Sequence, residues 1–263
     1  MTVAEALNGA GIEAREARLL LAAATGFSEA SVLAYPERDL PPAAEMQFRE
    51  FVQRRGRGEP VAYILGRKEF YGIELAVNPA VLIPRPETEL LVDLALQRGF
   101  SSVVDLGTGS GAIALALKRH RPDARVVAVE ASAAALAVAR RNAVKHALEI
   151  DFRHGRWFEP LAGERFDLIV ANPPYVVEGD PHLAGLQFEP LGALVSGADG
   201  LDAIREIVGG APRHLQRGGW LLLEHGMGQE AAVRELFLQA GLEEVGSCPD
   251  LARIPRVAGG KVK

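Results

Sequence analysis

The sequence is poor in cysteine, in positive net charge and in long apolar runs, and each shortage removes a class of protein. Its single cysteine, Cys248, excludes an internal disulfide and is typical of a reducing compartment. A net charge of −5 argues against a chain whose main task is to grip nucleic acid. No apolar run approaches the roughly 18 residues that a membrane span needs. The first residues also lack the basic region of a secretory signal, so we expect a globular protein of the cytoplasm.

Residues 1–66 have the pattern of a small helical bundle. Segments 13–24 and 42–57 are rich in helix-forming residues, with a glycine closing the first and a proline opening the second. Shorter helices are predicted at 28–33 and 59–66. The alternating segment 69–77 then indicates a β-hairpin, followed by a proline-stiffened linker. We therefore expect a helical domain at 1–66, a hairpin linker at 67–85 and a second domain at 86–263.

From residue 101 onward, apolar strands alternate with helical segments. Strands are predicted at 102–106, 125–129, 151–154, 166–171, 220–224 and 243–247. One helix is predicted just ahead of this stretch, at 86–97. Within it, helices are predicted at 112–119, 133–145, 201–215 and 229–240. This alternation predicts an α/β fold with a mainly parallel, doubly wound sheet. Ligands of such sheets bind at the carboxyl ends of the strands.

One predicted strand, 166–171, runs into a stiff tip made of Asn172, Pro173, Pro174 and Tyr175. Neither proline can donate a backbone hydrogen bond, and each restricts its own φ and that of the preceding residue. The side-chain oxygen of Asn172 and the carbonyl of Pro173 can each accept one N–H of a planar nitrogen, while Tyr175 adds an aromatic face. Such a grip orients the lone pair of an amide or an aromatic amine for attack. The same four residues also fit an ordinary turn.

A glycine loop follows the first strand of the second domain. Gly107, Gly109 and Gly111, spaced by Thr108 and Ser110, allow a tight turn and close approach to a ligand. This Gly-x-Gly-x-Gly spacing differs from the Gly-x-Gly-x-x-Gly spacing of loops that bind a pyrophosphate.

The next strand leads to Glu130, about 20 residues further on, where a carboxylate can bind ribose hydroxyls. Glu130 also suits a helix start. The loop, this acid and the tip together predict S-adenosylmethionine as cofactor.

Other polar and aromatic residues carry weaker signals. Trp157 follows the third predicted strand and fits either a stack on the adenine or a core or lid aromatic. The six histidines show no metal-ligand spacing, so no metal is expected, and His225 at a strand end is interpreted as structural. No serine or cysteine has a recognisable base partner, which gives no covalent nucleophile.

Several motifs together resemble the bacterial peptide chain release factor glutamine methyltransferases, the PrmC/HemK family. The resemblance covers nearly the whole chain. The runs Leu-Ile-Pro-Arg-Pro-Glu-Thr-Glu at 82–89 and Gly-Glu-Pro-Val-Ala-Tyr-Ile-Leu-Gly at 58–66 are the most specific. Further matches are found at 70–72, 105–111, 172–175, 188–190, 193–194, 199–201, 224–226 and Gln229. Asn-Pro-Pro-Tyr alone is shared with adenine and other amino-methyltransferases.

The resemblance implies a Rossmann-like class I methyltransferase sheet and methylation of the glutamine side-chain amide in the Gly-Gly-Gln motif of class 1 release factors. S-adenosylhomocysteine would be the product. The implied cofactor contacts are Gly107, Thr108, Gly109, Ser110, Gly111, Glu130, Trp157 and Asn172. The tip would hold the glutamine, with Asn172, Pro173 and Tyr175 as catalytic residues. Arg85 and the helical domain would meet the release factor. A monomer with no nucleic-acid substrate and no membrane partner is expected.

Three positions depart from the family pattern. Glu130 stands where aspartate is common, Arg156 where an acid is common, and Arg253 where glycine is expected. Two other functions stay open. An adenine amino-methyltransferase would use the same grip on a flipped base, and a non-catalytic adaptor would bind S-adenosylmethionine without transferring a methyl group.

Overall fold

The computed structural model describes all residues from 1 to 263 and divides into two compact units. The first unit, Met1–Arg67, is helical. Thr2 caps its first helix in a reciprocal capping box with Glu5, and Gly26 ends the second helix in the left-handed conformation. Leu20, Leu21 and Phe48 belong to the buried core of this unit. Its helices are α1 (Val3–Asn8), α2 (Ala14–Thr25), α3 (Glu29–Ala34), α4 (Pro42–Gly56) and α5 (Val61–Leu65).

The second unit, Lys68–Lys263, contains the larger sheet. Ahead of that sheet, β1 (Arg67–Phe70) and β2 (Ile73–Ala76) form a two-stranded sheet, joined through Tyr71 and Gly72, which both have positive φ. A 3₁₀ turn at Pro86–Thr88 leads into α6 (Glu89–Arg98). The next elements are β3 (Ser102–Leu106), α7 (Ala112–His120), β4 (Arg125–Glu130), α8 (Ala133–Lys145), β5 (Asp151–His154) and β6 (Phe166–Ala171). The last are α9 (Asp202–His214), β7 (Leu215–Glu224), α10 (Glu230–Gln239), β8 (Glu243–Pro249) and β9 (Pro255–Lys261).

The seven strands of this sheet are ordered β5-β4-β3-β6-β7-β9-β8. All neighbours from β5 to β7 pair in parallel, which confirms the predicted mainly parallel α/β sheet. Neighbouring residues of one strand face opposite cores, as Val103 packs in one buried cluster and Val104 in the other. Helices therefore cover both faces of the sheet.

Strand β9 is not predicted by the sequence. It lies between β7 and β8 and pairs antiparallel with both. Its residues begin with a proline and include Gly259 and Gly260, which weaken a strand signal. Glycine is nevertheless required there, because a Cβ at Gly260 would lie 2.7 Å from the Phe237 ring. Packing against α10 thus overrides the local preference.

The carboxyl ends of the parallel strands meet at one edge of the sheet. Leu106 at the end of β3 is in register with Val129 of β4 and Ala171 of β6, and Ala171 is in register with Leu223 of β7. The chain runs from β3 outward to β5 and then returns to β6 on the other side of β3, which makes this edge a topological switch point. None of the helices combines the length and apolar character needed to cross a membrane.

Candidate active site

A cavity of about 720 Å³ opens at this carboxyl edge. Its wall combines residues that follow β3, β4 and β6 with the segment before α6 and the turns between β6 and α9. The predicted glycine loop, Glu130 and Asn172 all contribute to it. The volume is in the range of cavities that bind cofactors and other small molecules.

The glycine loop forms part of the cavity wall. Gly107, Gly109 and Gly111 all have positive φ, which other residues rarely adopt. A Cβ at Gly107 would lie only 3.0 Å from the Trp157 ring, so glycine is needed for that close approach. Every predicted loop residue lines the cavity except Gly111, which is packed against Leu115 at the start of α7.

Glu130 ends β4 and fixes the glycine loop through its carboxylate. Its Oε2 accepts from the backbone N–H of Gly109 at 2.9 Å, and its Oε1 accepts from the backbone N–H of Ser132 at 2.8 Å. Each carboxylate oxygen has a second lone pair, and Glu130 lines the cavity. The side chain can therefore hold the loop and still accept ligand hydroxyls.

Asp105, directly ahead of the loop, is a fully buried carboxyl to which the sequence assigns no role. Its Oδ2 accepts from the Thr108 hydroxyl at 2.6 Å, whereas Oδ1 has no hydrogen-bond partner. Burial raises the pKa of Asp105 to about 7, although hydrogen bonds from Thr108 and the backbone of Ala114 oppose the rise. Asp105 does not line the cavity, and its hydrogen bond with Thr108 supports the glycine loop from behind.

Within the tip, the side-chain amide of Asn172 is hydrogen-bonded to the protein through its nitrogen only. Its Nδ2 donates to the Thr88 hydroxyl at 3.0 Å, while no protein group donates to Oδ1. Asn172 and Pro174 line the cavity, whereas Pro173 and Tyr175 do not belong to its wall. The carbonyl of Pro173 makes no hydrogen bond within the protein. The two acceptors predicted from the sequence, Oδ1 of Asn172 and the carbonyl of Pro173, are therefore both free to accept a hydrogen bond from a ligand.

The far end of the tip is anchored by two side chains that the sequence does not connect to it. The Tyr175 hydroxyl donates to Oε1 of Glu224 at 3.0 Å, and the backbone carbonyl of Tyr175 accepts from Nε2 of Gln229 at 3.0 Å. Gln229 in turn accepts from the backbone N–H of Gly226 at 2.8 Å. A Cβ at Gly200 would overlap the Tyr175 carbonyl oxygen, so glycine keeps room for this anchor.

Arg85 lies on the cavity wall and forms an ion pair with Glu189. Glu189 is buried and also accepts from the backbone N–H of Ile83 at 3.0 Å. The pair ties the segment before α6 to the turns that follow the tip. A guanidinium has five N–H donors, so Arg85 can still contact a substrate.

Trp157 lies on the cavity wall beside the glycine loop and also packs against the sheet core. It has a positive φ, and its Nε1 is buried without a hydrogen-bond partner. The neighbouring Arg156 forms an ion pair with Glu206 at 2.5 Å, with its guanidinium 5.5 Å from the centre of the Trp157 ring. Arg156 stands where the family pattern has an acid, and Glu206 neutralises its positive charge.

His225 is buried at the end of β7, where Nδ1 meets the Gly226 carbonyl and Nε2 meets the Ser247 hydroxyl. Burial lowers its pKa. A neutral ring that donates to the carbonyl and accepts from the serine satisfies both contacts, which agrees with a structural histidine. No cluster of histidine, cysteine and acidic residues suited to a metal is present.

Known proteins are similar to this chain over nearly its whole length. The family model of the PrmC N-terminal domain matches residues 2–66, and that of the methyltransferase small domain matches residues 86–187. A release factor glutamine methyltransferase of Xylella fastidiosa is 51% identical over 257 residues, covering 95% of this chain and 94% of that protein. One from Burkholderia pseudomallei is 48% identical, covering 99% and 96%. The chain belongs to the release factor glutamine methyltransferase family.

Solved methyltransferase structures share the fold of this chain. The T. thermophilus 16S rRNA N2 G1207 methyltransferase, in complex with AdoMet and guanosine, has a TM-score of 0.57 and 25% identity. It covers 75% of this chain, which spans 50% of that chain. A methyltransferase from Pyrococcus furiosus has a TM-score of 0.57 at 18% identity, with 80% and 96% coverage. The class I methyltransferase fold implied by the sequence motifs is confirmed.

As a member of this family, the chain is an S-adenosylmethionine-dependent methyltransferase. The cavity fits that cofactor in two respects. Its glycine loop permits close approach, and Glu130 offers acceptors for hydroxyls. The contacts assigned to individual residues stay predictions.

Proposed function

We propose that this chain transfers a methyl group from S-adenosylmethionine to the side-chain amide nitrogen of the glutamine in the Gly-Gly-Gln motif of class 1 peptide chain release factors. The observation that carries the proposal is the uncommitted Oδ1 of Asn172, presented by a rigid tip on the wall of the cavity. An amide N–H₂ group is the complement of such an acceptor. S-adenosylhomocysteine is the second product.

The cofactor contacts in this proposal are the glycine loop from Gly107 to Gly111, Glu130, Trp157 and Asn172, with Gly111 supporting the loop from outside the cavity wall. The glycine loop lets the cofactor approach its backbone closely. Glu130 binds the ribose hydroxyls, and the Trp157 ring stacks on the adenine. When bound, S-adenosylmethionine supplies an electrophilic methyl group on its sulfonium.

The tip holds the glutamine amide. Oδ1 of Asn172 and the carbonyl of Pro173 each accept one N–H, which turns the nitrogen lone pair toward the methyl group. Pro174, Tyr175 and Arg85 complete the contacts with the substrate. Positioning of this kind supplies roughly 7–11 kcal/mol of the barrier in favourable cases.

No side chain of the tip is placed to remove the amide proton beforehand. The Tyr175 phenol donates its own proton to Glu224. Burial and the charge of Glu224 raise the pKa of Tyr175, so it is a poor acid and stays protonated. The nitrogen would form its bond to the methyl carbon while the carbon–sulfur bond breaks, and it would then release one proton to water, which leaves the tip with an orienting role.

The roles of the separate parts of the chain also belong to the proposal. The helical domain at 1–66 contacts the release factor, residues 67–85 link it as a hairpin, and residues 86–263 carry out the transfer. In this proposal the protein acts as a monomer, and one chain supplies every residue of the site. It works in the cytoplasm, where release factors meet ribosomes.

The function is tested by methyl transfer from labelled S-adenosylmethionine to a purified class 1 release factor. We expect label on the intact release factor and none on a variant in which the glutamine of Gly-Gly-Gln is alanine. An adenine-containing duplex, offered in parallel, should stay unlabelled. Label on the duplex, or equally on both proteins, would replace the proposal by a general amine methyltransferase. Cofactor binding without transfer to any acceptor would indicate a non-catalytic adaptor.

Replacing Glu130 by glutamine is expected to weaken S-adenosylmethionine binding by about 10- to 100-fold. Both carboxylate oxygens accept backbone N–H groups, so the NH₂ of a glutamine must face the N–H of either Gly109 or Ser132. The hydrogen bond to the loop or the one to Ser132 is then lost, and the ribose loses an acceptor. Titration calorimetry measures the dissociation constant, with Glu149→Gln at an exposed position as the matched control. Equal affinities in the two variants would contradict the role of Glu130.

A further inference from the structure

Three polar side chains from distant parts of the sequence form one chain of hydrogen bonds at the edge of the cavity. Oε2 of Glu224 accepts from the Thr88 hydroxyl at 2.7 Å, and the Thr88 oxygen accepts from Nδ2 of Asn172 at 3.0 Å. We call Glu224, Thr88 and Asn172 the polar chain. Glu224 is 1% exposed and Thr88 is 4% exposed, so water does not replace these bonds.

The direction of donation along the polar chain is fixed at its buried end. Both oxygens of Glu224 accept hydroxyl protons, one from Thr88 and one from Tyr175, so the single proton of the Thr88 hydroxyl points to Glu224. The hydroxyl oxygen can then only accept from Asn172. The amide of Asn172 must consequently offer its NH₂ to Thr88, which leaves Oδ1 for another partner.

Glu224 also fixes the other end of the tip. Its Oε1 accepts from the Tyr175 hydroxyl at 3.0 Å, so one carboxylate serves both sides of the two prolines. Burial raises the pKa of Glu224, while the hydrogen bonds from Thr88 and Tyr175 and the charge of Arg256 favour its ionised form. Arg256 belongs to β9, where its neighbour Val257 is in register with Glu224.

We propose that Glu224 and Thr88 are positioning residues for methyl transfer, which orient the Asn172 amide so that its oxygen faces the substrate nitrogen. The inference rests on the proposed function, because that function makes Oδ1 the acceptor of a substrate N–H. Thr88 lies on the cavity wall, but its hydroxyl is engaged by Glu224 and Asn172, so in this scheme neither residue binds the substrate. A reversed amide would present NH₂ to the NH₂ of glutamine, and donors cannot bind donors.

The first test compares Thr88→Val with Thr88→Ser. Valine keeps the shape and removes the hydroxyl, so Asn172 is no longer oriented, whereas serine keeps the hydroxyl. We expect kcat for release factor methylation to fall by about 10- to 100-fold in the valine variant and to stay within about threefold of wild type in the serine variant. The dissociation constant of S-adenosylmethionine and the melting temperature should change little in Thr88→Ser. Equal kcat values for the valine variant and wild type would overturn the inference.

The second test separates the direction of the hydrogen bonds from the mere presence of a polar group. Glu224→Gln keeps the size of the side chain but can donate, which lets the Thr88 hydroxyl turn toward Oδ1 of Asn172 and reverse the amide. We expect a similar loss of kcat and no further loss when Thr88→Val is added, because both changes act through Asn172. Fully additive losses in the double variant would mean that the two residues act separately. This variant also keeps the inference testable where Thr88→Val does not fold.

Wild-type protein is assayed first with the release factor and with its Gln→Ala variant. Absence of label in wild type would refute the proposed function itself. Specific labelling by wild type, combined with normal kcat in Thr88→Val and Glu224→Gln, would refute only the positioning role. The two failures are therefore distinguishable in one set of assays.

Discussion

Asn172→Ala is expected to lower kcat for methyl transfer by at least about 10²- to 10³-fold, which is the cost of removing one well-placed polar contact to the reacting group. The uncommitted Oδ1 is the acceptor that orients the substrate amide, and alanine has no replacement for it. Steady-state transfer to the release factor measures the effect. Because the side chain lies at the end of β6 and outside the core, the melting temperature should stay near that of wild type.

A matched control for this variant is Gln239→Ala, which also removes a carboxamide. Gln239 is exposed on α10 and donates only to Glu235, at 3.0 Å. The control should methylate the release factor at the wild-type rate. Near-normal turnover in Asn172→Ala, measured beside this control, would refute the proposed mechanism.

Asp105 should make the free energy of unfolding fall as the pH rises. The carboxyl has a pKa of about 7 in the folded state, because burial disfavours its charge, against an ordinary value of 3.8. Below pH 3.8 both states hold the proton, whereas between pH 3.8 and 7 only the unfolded state releases it. Stability from this group is therefore present at low pH and is lost by pH 7. Three pH units at about 1.4 kcal/mol each give a loss of about 4 kcal/mol.

The variant Asp105→Asn isolates this contribution, because asparagine does not titrate. Between pH 4 and pH 8, wild type should lose about 4 kcal/mol of stability relative to the variant. Urea unfolding at several pH values measures the difference. Asp123→Asn, at an exposed position after α7, serves as the control and should follow the wild-type pH profile. A constant difference between wild type and Asp105→Asn would show that Asp105 is ionised throughout this range.

The elements that build the cavity could be predicted because they carry local signals. Strands β3 and β6 match the predicted bounds, since buried parallel strands are short, continuous apolar runs. Strand β7 begins at Leu215, ahead of the predicted 220, because Gly218 and Gly219 interrupt its apolar pattern. The glycine loop, Glu130 and the tip each follow a strand, and a strand end is visible in the sequence.

The supports behind these elements could not be predicted, because each joins residues far apart in the chain. Thr88 and Glu224 are separated by 136 residues, and Arg85 and Glu189 by 104. Threonine and glutamate at these positions look like helix-start and strand-end residues when read alone. Only the folded sheet brings them together, so the orientation of the Asn172 amide is a property of tertiary structure.

The position of β9 has a consequence for how the chain acquires its sheet during synthesis. β8 pairs only with β9, and the free edge of β7 also waits for β9. A nascent chain that ends before Pro255 therefore holds β8 without any strand partner and leaves β7 open along one side. Open strand edges invite pairing with other chains. Until β9 inserts between them, the strand that carries Glu224 keeps an open edge that can pair with another chain.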